Sequence, residues 1–339
     1  MTVLTVCNLL FPIGPSGTGA EQIAVAMDAA ISESGGNSLI IAAQGSKTAG
    51  RVVATWPGLG ALAGDFESAV SNVRAYLQQA AQVVDIIHFH GLGFQDYLFP
   101  GKARVVVTLH AARRYYPESA FSLPGLQFVA VSRHQARSLA DVRGLVTIEN
   151  GIDLAGFRPR YGNRRHLAYI GRISPEKGAA VALRVAHALD LPMVVAGPLH
   201  PYRLHRQYFE NEVAPLLDDE RTYVGPIDKT QKSALLAESR CLLVPSDPRR
   251  VTETSSLVAM EAIGCGVPVV AFPSGALPEV VEHGVSGFVA ASEDAMIESV
   301  RRTASLSPVD CRARAESRFD NRRMAHQYLS CYERLLRGE

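Results

Sequence analysis

The amino-acid sequence predicts two α/β domains in tandem, each a parallel sheet covered by helices on both faces. Three observations carry this. Short β-branched runs alternate with amphipathic stretches from the first residues onward. The same alternation starts afresh after residue 164. A glycine-bearing turn follows the opening strand of each half, at 14–21 and at 171–178. Alternating strands and helices favour parallel sheets, because the crossover helices must lie on the sheet faces. A chain of 339 residues has room for two such domains.

In the first half, strands are predicted over residues 3–9, 38–42, 86–90, 104–109, 128–131 and 145–148. Helical patterns fall at 21–34 and 66–81. Each strand candidate is a short apolar or β-branched run, as a strand buried on both faces requires. In the second half, strands are predicted at 167–171, 193–196, 222–224, 241–244, 268–271 and 288–289, with a helix over 178–189. Residues 150–163 are rich in turn formers and are read as the linker. The last stretch, 321–337, has the pattern of an amphipathic helix. The resulting plan is a domain at 1–157, a second at 164–319, and a terminal segment at 320–339 that packs back on the first. Two Rossmann-like domains of this kind would face a central cleft, with ligands at the carboxyl ends of the strands.

Composition excludes several classes. Hydrophobic residues make up 47% and charged residues 20%, and the formal net charge is +1, so no field favours nucleic acid. Five cysteines (Cys7, Cys241, Cys265, Cys311 and Cys331) occur without a CxxC pair and read as reduced, buried thiols of a cytoplasmic protein. The apolar N-terminus is interrupted by Pro12 and lacks a basic flank, so it is read as a strand and not as a signal peptide. No apolar run approaches the roughly 20 residues of a membrane span. Peripheral membrane contact stays open.

Three motifs carry chemistry. The first is Gly14-Pro-Ser-Gly17-Thr-Gly19-Ala-Glu21, between a strand and a helix. Glycines let a backbone approach phosphate, and a helix N-terminus offers N–H donors; a plain tight turn is the other reading. The pattern is not GxGxxG, which weighs against a nicotinamide cofactor. The second is Gly171-Arg172-Ile-Ser-Pro-Glu-Lys177-Gly178, again between strand and helix. Arg172 can fork two phosphate oxygens and Lys177 adds a point charge, which suits a diphosphate; a solvated charged loop is the alternative. The third is Glu253-Thr-Ser-Ser-Leu-Val-Ala-Met-Glu261. If a helix starts near Glu253, eight residues span about 2.2 turns, and both carboxylates lie on one face, where they can accept bonds from sugar hydroxyls. Two solvated glutamates would be the reading if the pair stood alone.

It is followed by Ala262-Ile-Gly264-Cys-Gly266-Val-Pro268-Val-Val-Ala, then Gly275-Ala-Leu-Pro278-Glu279, then His283-Gly284-Val-Ser-Gly287-Phe288. With these elements the sequence resembles the GT-B glycosyltransferases, and among them the large retaining family 4, over nearly its whole length. The resemblance implies a nucleoside-diphosphate sugar as donor substrate, UDP-linked more than GDP-linked, with no cofactor and no metal. The acceptor would be a glycan, a lipid-linked or a small-molecule hydroxyl. It implies that Arg172 and Lys177 neutralise the diphosphate beside Gly171, and that Glu253 binds hydroxyls of the transferred sugar. Backbone N–H groups of Thr254, Ser255, Ser256, Leu257 and Val258 would surround sugar and phosphate, and Glu261 would hold the ribose. Gly17 and Gly19 would approach the phosphate or the acceptor, and His110 would stand near the reacting sugar. Domain closure would exclude water.

This chain departs from the family at two places. An aromatic residue and a glycine usually follow the first glutamate, where Thr254-Ser255-Ser256 stand here, so the wall beside the sugar differs. Gly17-Thr-Gly19 replaces adjacent glycines. Elsewhere, His88 and His90 lack a converging third ligand for a metal, Asp218-Asp219-Glu220 reads as a solvated loop, and Arg113–Tyr116 reads equally as acceptor lining or as surface. A sugar-nucleotide epimerase of the same fold and a non-catalytic sugar-nucleotide-binding protein are the rival readings.

Overall fold

The structure is a computed structural model and describes residues 1–7, 12–14, 19–56, 63–159, 162 and 164–339. The chain forms two compact units. One holds Met1–Asn150 together with Asn321–Glu339, and the other holds Gly151–Asp320.

The first unit runs β1 (Thr2–Val6), α1 (Gly19–Glu33), β2 (Asn37–Ala43), β3 (Arg51–Trp56), α2 (Ala63–Ala80), β4 (Ile86–Phe89), β5 (Arg104–Leu109), β6 (Leu126–Ala130), α3 (Arg133–Ser138) and β7 (Val146–Thr147). Its strands pair in parallel in the order β3-β2-β1-β4-β5-β6-β7. The order reverses between β1 and β4, as in a doubly wound sheet. The inner strands are buried almost throughout, for example Ile40 to Ala43 of β2, which is why they read as unbroken apolar runs. Strand β3 is not among the predicted strands. It is an edge strand paired only with β2, so half of what makes it a strand lies in its neighbour. The described part of β1 ends at Val6, and residues 8 and 9 of the predicted 3–9 strand lie outside the described residues.

The second unit runs β8 (His166–Ile170), α4 (Ala179–Ala188), β9 (Met193–Ala196), α5 (Arg203–Tyr208), β10 (Arg221–Tyr223), α6 (Lys229–Glu238), β11 (Ser239–Val244), α7 (Leu257–Gly264), β12 (Val269–Ala271), α8 (Leu277–Val280), β13 (Gly287–Val289), α9 (Glu293–Arg302) and α10 (Pro308–Arg318). Its strands are parallel in the order β10-β9-β8-β11-β12-β13, reversing between β8 and β11. The core has two parts. Ala259, Met260 and Ile263 of α7 pack with Cys311 and Ala315 of α10 in one. Ala182, Leu183 and Ala186 of α4 pack with Met296 and Val300 of α9 in the other.

Ile152, Leu154 and Phe157, inside the stretch read as a linker, belong to the first of these clusters. Arg312 fastens them. Its Nη1 donates to the carbonyls of Phe157 at 2.6 Å and of Gly264 at 2.8 Å. Gly264 is one of the last carbonyls of α7, which have no partner inside the helix.

The chain then enters α11 (Asn321–Arg337), which belongs to the first unit. Met324, Ala325, Tyr328, Cys331 and Tyr332 are its buried residues, a stripe at helical spacing. All five cysteines are buried. No described helix is long and apolar enough to cross a membrane.

Candidate functional site

The reversal between β8 and β11 leaves a crevice at the carboxyl ends of those strands, the place where open α/β sheets bind ligands. Two loops meet there. One leaves β8 through Gly171 and Arg172 to Lys177 and Gly178. The other leaves β11 through Ser246 to Glu253 and then α7.

Lys177 Nζ lies 2.5 Å from Glu253 Oε1. Ser246 Oγ donates to the same oxygen at 2.6 Å. The Glu253 backbone is held as well, its carbonyl accepting from the Ala276 N–H at 2.7 Å. That approach depends on Gly275: at φ +56° it has the left-handed conformation, and a Cβ there would lie 2.1 Å from the Glu253 carbonyl oxygen. Gly178 closes the other loop in the same manner. It caps α4 at φ +76°, and a Cβ would lie 2.4 Å from the Pro245 carbonyl oxygen. Both loops are therefore fixed by close backbone contacts that only glycine allows.

Arg172 stands at the mouth of the β8 loop, its side chain 40% exposed. Its Nη2 donates to Glu176 Oε1 at 2.8 Å, and its buried Nε has no partner among the described residues. Gly171 directly follows β8 and donates its N–H to the Ala196 carbonyl at 3.0 Å.

The expected shared helix face of Glu253 and Glu261 is corrected. Helix α7 starts at Leu257, and Ser256 before it is extended at φ −138°, ψ 90°. Glu253 is thus a loop residue, and helical spacing does not link it to Glu261. The Ser256 side chain makes no capping bond, and the first N–H groups of a helix have no acceptor within it. Leu257 and Val258 form that first turn, after Thr254 and Ser255; the Ser255 hydroxyl is buried without a partner.

Glu261 is 1% exposed at its side chain, and Lys232 Nζ lies 2.6 Å from its Oε1. Burial pushes the Glu261 carboxyl above its ordinary range, and the positive charges of Lys232 and Lys229 oppose that shift. Each glutamate therefore has its own lysine. Lys232 and Ser246 were absent from the sequence expectation. Nothing in the sequence marks Lys232, which reaches Glu261 only because α6 lies beside α7.

Gly17 lies outside the described residues, while Gly19 begins α1. In the first unit, His110 follows β5, and its Nε2 is 2.8 Å from His90 Nδ1. His88 Nε2 is 2.8 Å from Thr108 Oγ1, and His88 Nδ1 is 2.7 Å from Tyr332 Oη. Thr108 Oγ1 in turn meets Tyr328 Oη at 2.9 Å. His88 and His90 point to one face of β4, their rings 4.1 Å apart. Both are buried. Burial lowers all three imidazoles, His88 to about 3, His110 to about 4 and His90 well below its ordinary value. They are neutral at pH near 7. Among the described residues no group of three His, Cys, Asp or Glu side chains is placed to hold a metal ion.

In the Arg113–Tyr116 segment the two ends are held structurally, while Tyr115 is exposed. Arg113 pairs with Glu118 and Asp141, and Tyr116 is buried with its hydroxyl accepting from the Ala111 N–H at 3.3 Å. Asp218 accepts from the Arg221 side chain and from the backbone N–H of Glu220 and Arg221.

Residues 164–305 match the family described as glycosyl transferases group 1. The D-inositol 3-phosphate glycosyltransferase of Mycolicibacterium vanbaalenii is 30% identical over 196 residues, covering 50% of this chain and 43% of that protein. The D-inositol 3-phosphate glycosyltransferase 2 of Catenulispora acidiphila is 32% identical over 183 residues, covering 46% of this chain and 40% of that protein. These matches thus span less than half the length of those relatives. Among solved structures, AviGT4, a glycosyltransferase of avilamycin A biosynthesis, superimposes with TM-score 0.75 at 22% identity, over 99% of this chain and 98% of that one. Sucrose-phosphate synthase of Thermosynechococcus elongatus gives TM-score 0.79 at 18% identity, over 100% of both chains. HepE of Anabaena, crystallised with UDP and glucose, gives 0.75 at 17%, over 98% and 99%. The chain therefore has the GT-B fold of two Rossmann-like domains, and residues 164–305 of its second unit carry the signature of the glycosyl transferases group 1 family.

Proposed function

We propose that this chain is a retaining, metal-independent glycosyltransferase of family 4, acting in the cytoplasm on a nucleoside-diphosphate sugar, UDP-linked ahead of GDP-linked. The observation that carries the reading is the pairing of Lys177 Nζ with Glu253 Oε1 at 2.5 Å, at the carboxyl edge of β8 and β11. A cation for phosphate and a carboxylate for sugar hydroxyls are thereby one bond apart, beside the start of α7. The group 1 match over 164–305 and the neighbour that holds UDP and glucose support the same reading.

In this reaction the bond between the anomeric carbon and the β-phosphate oxygen breaks, and its electron pair leaves with the diphosphate. Lys177, Arg172 and the N–H groups at the start of α7 stabilise that charge, a task otherwise given to a divalent metal. The acceptor hydroxyl forms the new bond on the face the diphosphate leaves, and its proton passes to a departing phosphate oxygen. Glu253 holds hydroxyls of the sugar, and Glu261 holds the ribose. For His110 the proposed role is a neutral hydrogen bond toward the donor sugar. Gly19 is proposed for the phosphate or acceptor approach, as is Gly17. The acceptor class is a glycan, lipid-linked or small-molecule hydroxyl.

A thermal-shift panel of UDP, GDP, ADP, CMP and NAD tests the reading. A ligand at a hundredfold its Kd stabilises by about 2.7 kcal/mol. The expected result is a shift with one nucleoside diphosphate, unchanged by magnesium and lost in Arg172→Ala. A shift with NAD alone, or with none of the panel, overturns it.

A further inference from the structure

Glu261 is a buried carboxylate with half of its bonding capacity unused. Lys232 occupies Oε1 at 2.6 Å, while Oε2 is buried and has no partner among the described residues. Leaving a charged oxygen unpaired in a protein interior is expensive. A buried ion pair is also weak support for stability by itself. A purely structural pair would be expected to satisfy both oxygens. A hydroxyl of a bound ligand would supply the missing donor.

We propose that Lys232 is a positioning residue: it fixes Glu261 by Oε1 and leaves Oε2 to accept the hydroxyls of a ligand's vicinal diol, as in a ribonucleotide. This rests on the reading of Glu261 as the ribose-binding residue. Lys232 is well placed for the task. Its side chain is 16% exposed, and its Nζ lies over the Phe157 ring at 5.4 Å, so its own position is defined from two sides. Its neighbour Lys229 does not substitute for it, because Lys229 Nζ is held by Asp153 Oδ2 at 2.6 Å. The other titratable group coupled to Glu261 is Cys265, the residue that caps the end of α7. Lys232 is thus the cation in direct contact with the carboxylate, and it opposes the upward push of burial. Without it Glu261 takes up a proton at higher pH and loses its power to accept from a diol.

Calorimetric titration with UDP and 2′-deoxy-UDP, and with GDP and 2′-deoxy-GDP, across pH 6 to 8.5 tests this in the wild-type chain, Lys232→Met and Lys232→Arg. The wild type is expected to prefer the ribonucleotide of the pair it binds. In Lys232→Met that preference falls about tenfold or more at the acid end and recovers as pH rises, as for losing a bond to a charged group. Lys232→Arg keeps the preference. If Lys232→Met does not fold, Lys232→Leu, which likewise removes both the charge and the donor to Oε1, is read in the same way. A Lys232→Met chain that discriminates like the wild type at every pH overturns the proposal alone. So does one that loses both nucleotides equally. If the wild type binds both sugars equally, or Glu261→Gln leaves the ratio unchanged, the ribose reading of Glu261 falls and the proposal falls with it.

Discussion

Lys177 and Glu253 are 76 residues apart in the sequence and 2.5 Å apart in space. Neither is free to drift: Lys177 sits in a loop closed by Gly178 against Pro245, and Glu253 accepts a second bond from Ser246. Preorganisation of this kind lets fixed charges act on a leaving group without reorganising first. Lys177→Met is therefore expected to lower kcat by about 10²–10³, the usual loss for one such donor. Steady-state transfer assays check this, and a kcat within about threefold of wild type would exclude Lys177 from the charge stabilisation.

Gly275 determines where Glu253 sits. Adding a Cβ places it 2.1 Å from the Glu253 carbonyl oxygen at a backbone conformation of φ +56°. Gly275→Ala should cost about 1–3 kcal/mol of stability and reduce kcat more than it reduces nucleotide affinity. Urea denaturation and a parallel binding titration separate the two effects. Unchanged stability would show that the loop relaxes freely.

The buried histidines predict acid sensitivity of the first unit. Their ordinary value is 6.5, and burial moves His110 to about 4 and His88 to about 3. Between those values the unfolded chain binds protons that the folded chain refuses, so stability falls as pH drops below about 6.5. The slope is about 1.4 kcal/mol per pH unit for each histidine that stays neutral. Denaturation series at several pH values measure it, and a flat profile over that window would contradict the neutral cluster.

With cationic side chains and helix N–H groups assigned to the leaving diphosphate, chelation should not matter. Transfer activity is expected to be the same in EDTA as in magnesium. Activity abolished by EDTA and restored by a divalent ion would remove the metal-independent mechanism.

Most of the two sheets was legible because their inner strands are buried on both faces and carry unbroken apolar runs, as residues 39–43 do. The glycine turns were legible for a related reason, since Gly178 and Gly275 tolerate no side chain. Edge strand β3 was not, because its partner is half its definition. The start of α7 was misplaced because Ser256 adopts an extended backbone that no spacing rule reveals. Lys232 was missed because its bond to Glu261 depends on two helices lying side by side. The residues of the 171–178 loop stand together in the sequence, but the carboxylate partners, Glu176 for Arg172 and Glu253 for Lys177, emerge only from the fold.

Helix α11 has a consequence for synthesis. Tyr332 is the partner of His88 Nδ1 and follows it by 244 residues. A chain emerging from the ribosome from its N-terminus therefore makes β4 early and cannot cover it with α11 until the whole of the second unit has appeared. Domains fold as units during synthesis, so the unit that starts first is the one that closes last. Until then the nascent first unit carries an open face over β4 and β5, where it is most exposed to aggregation and to chaperone capture.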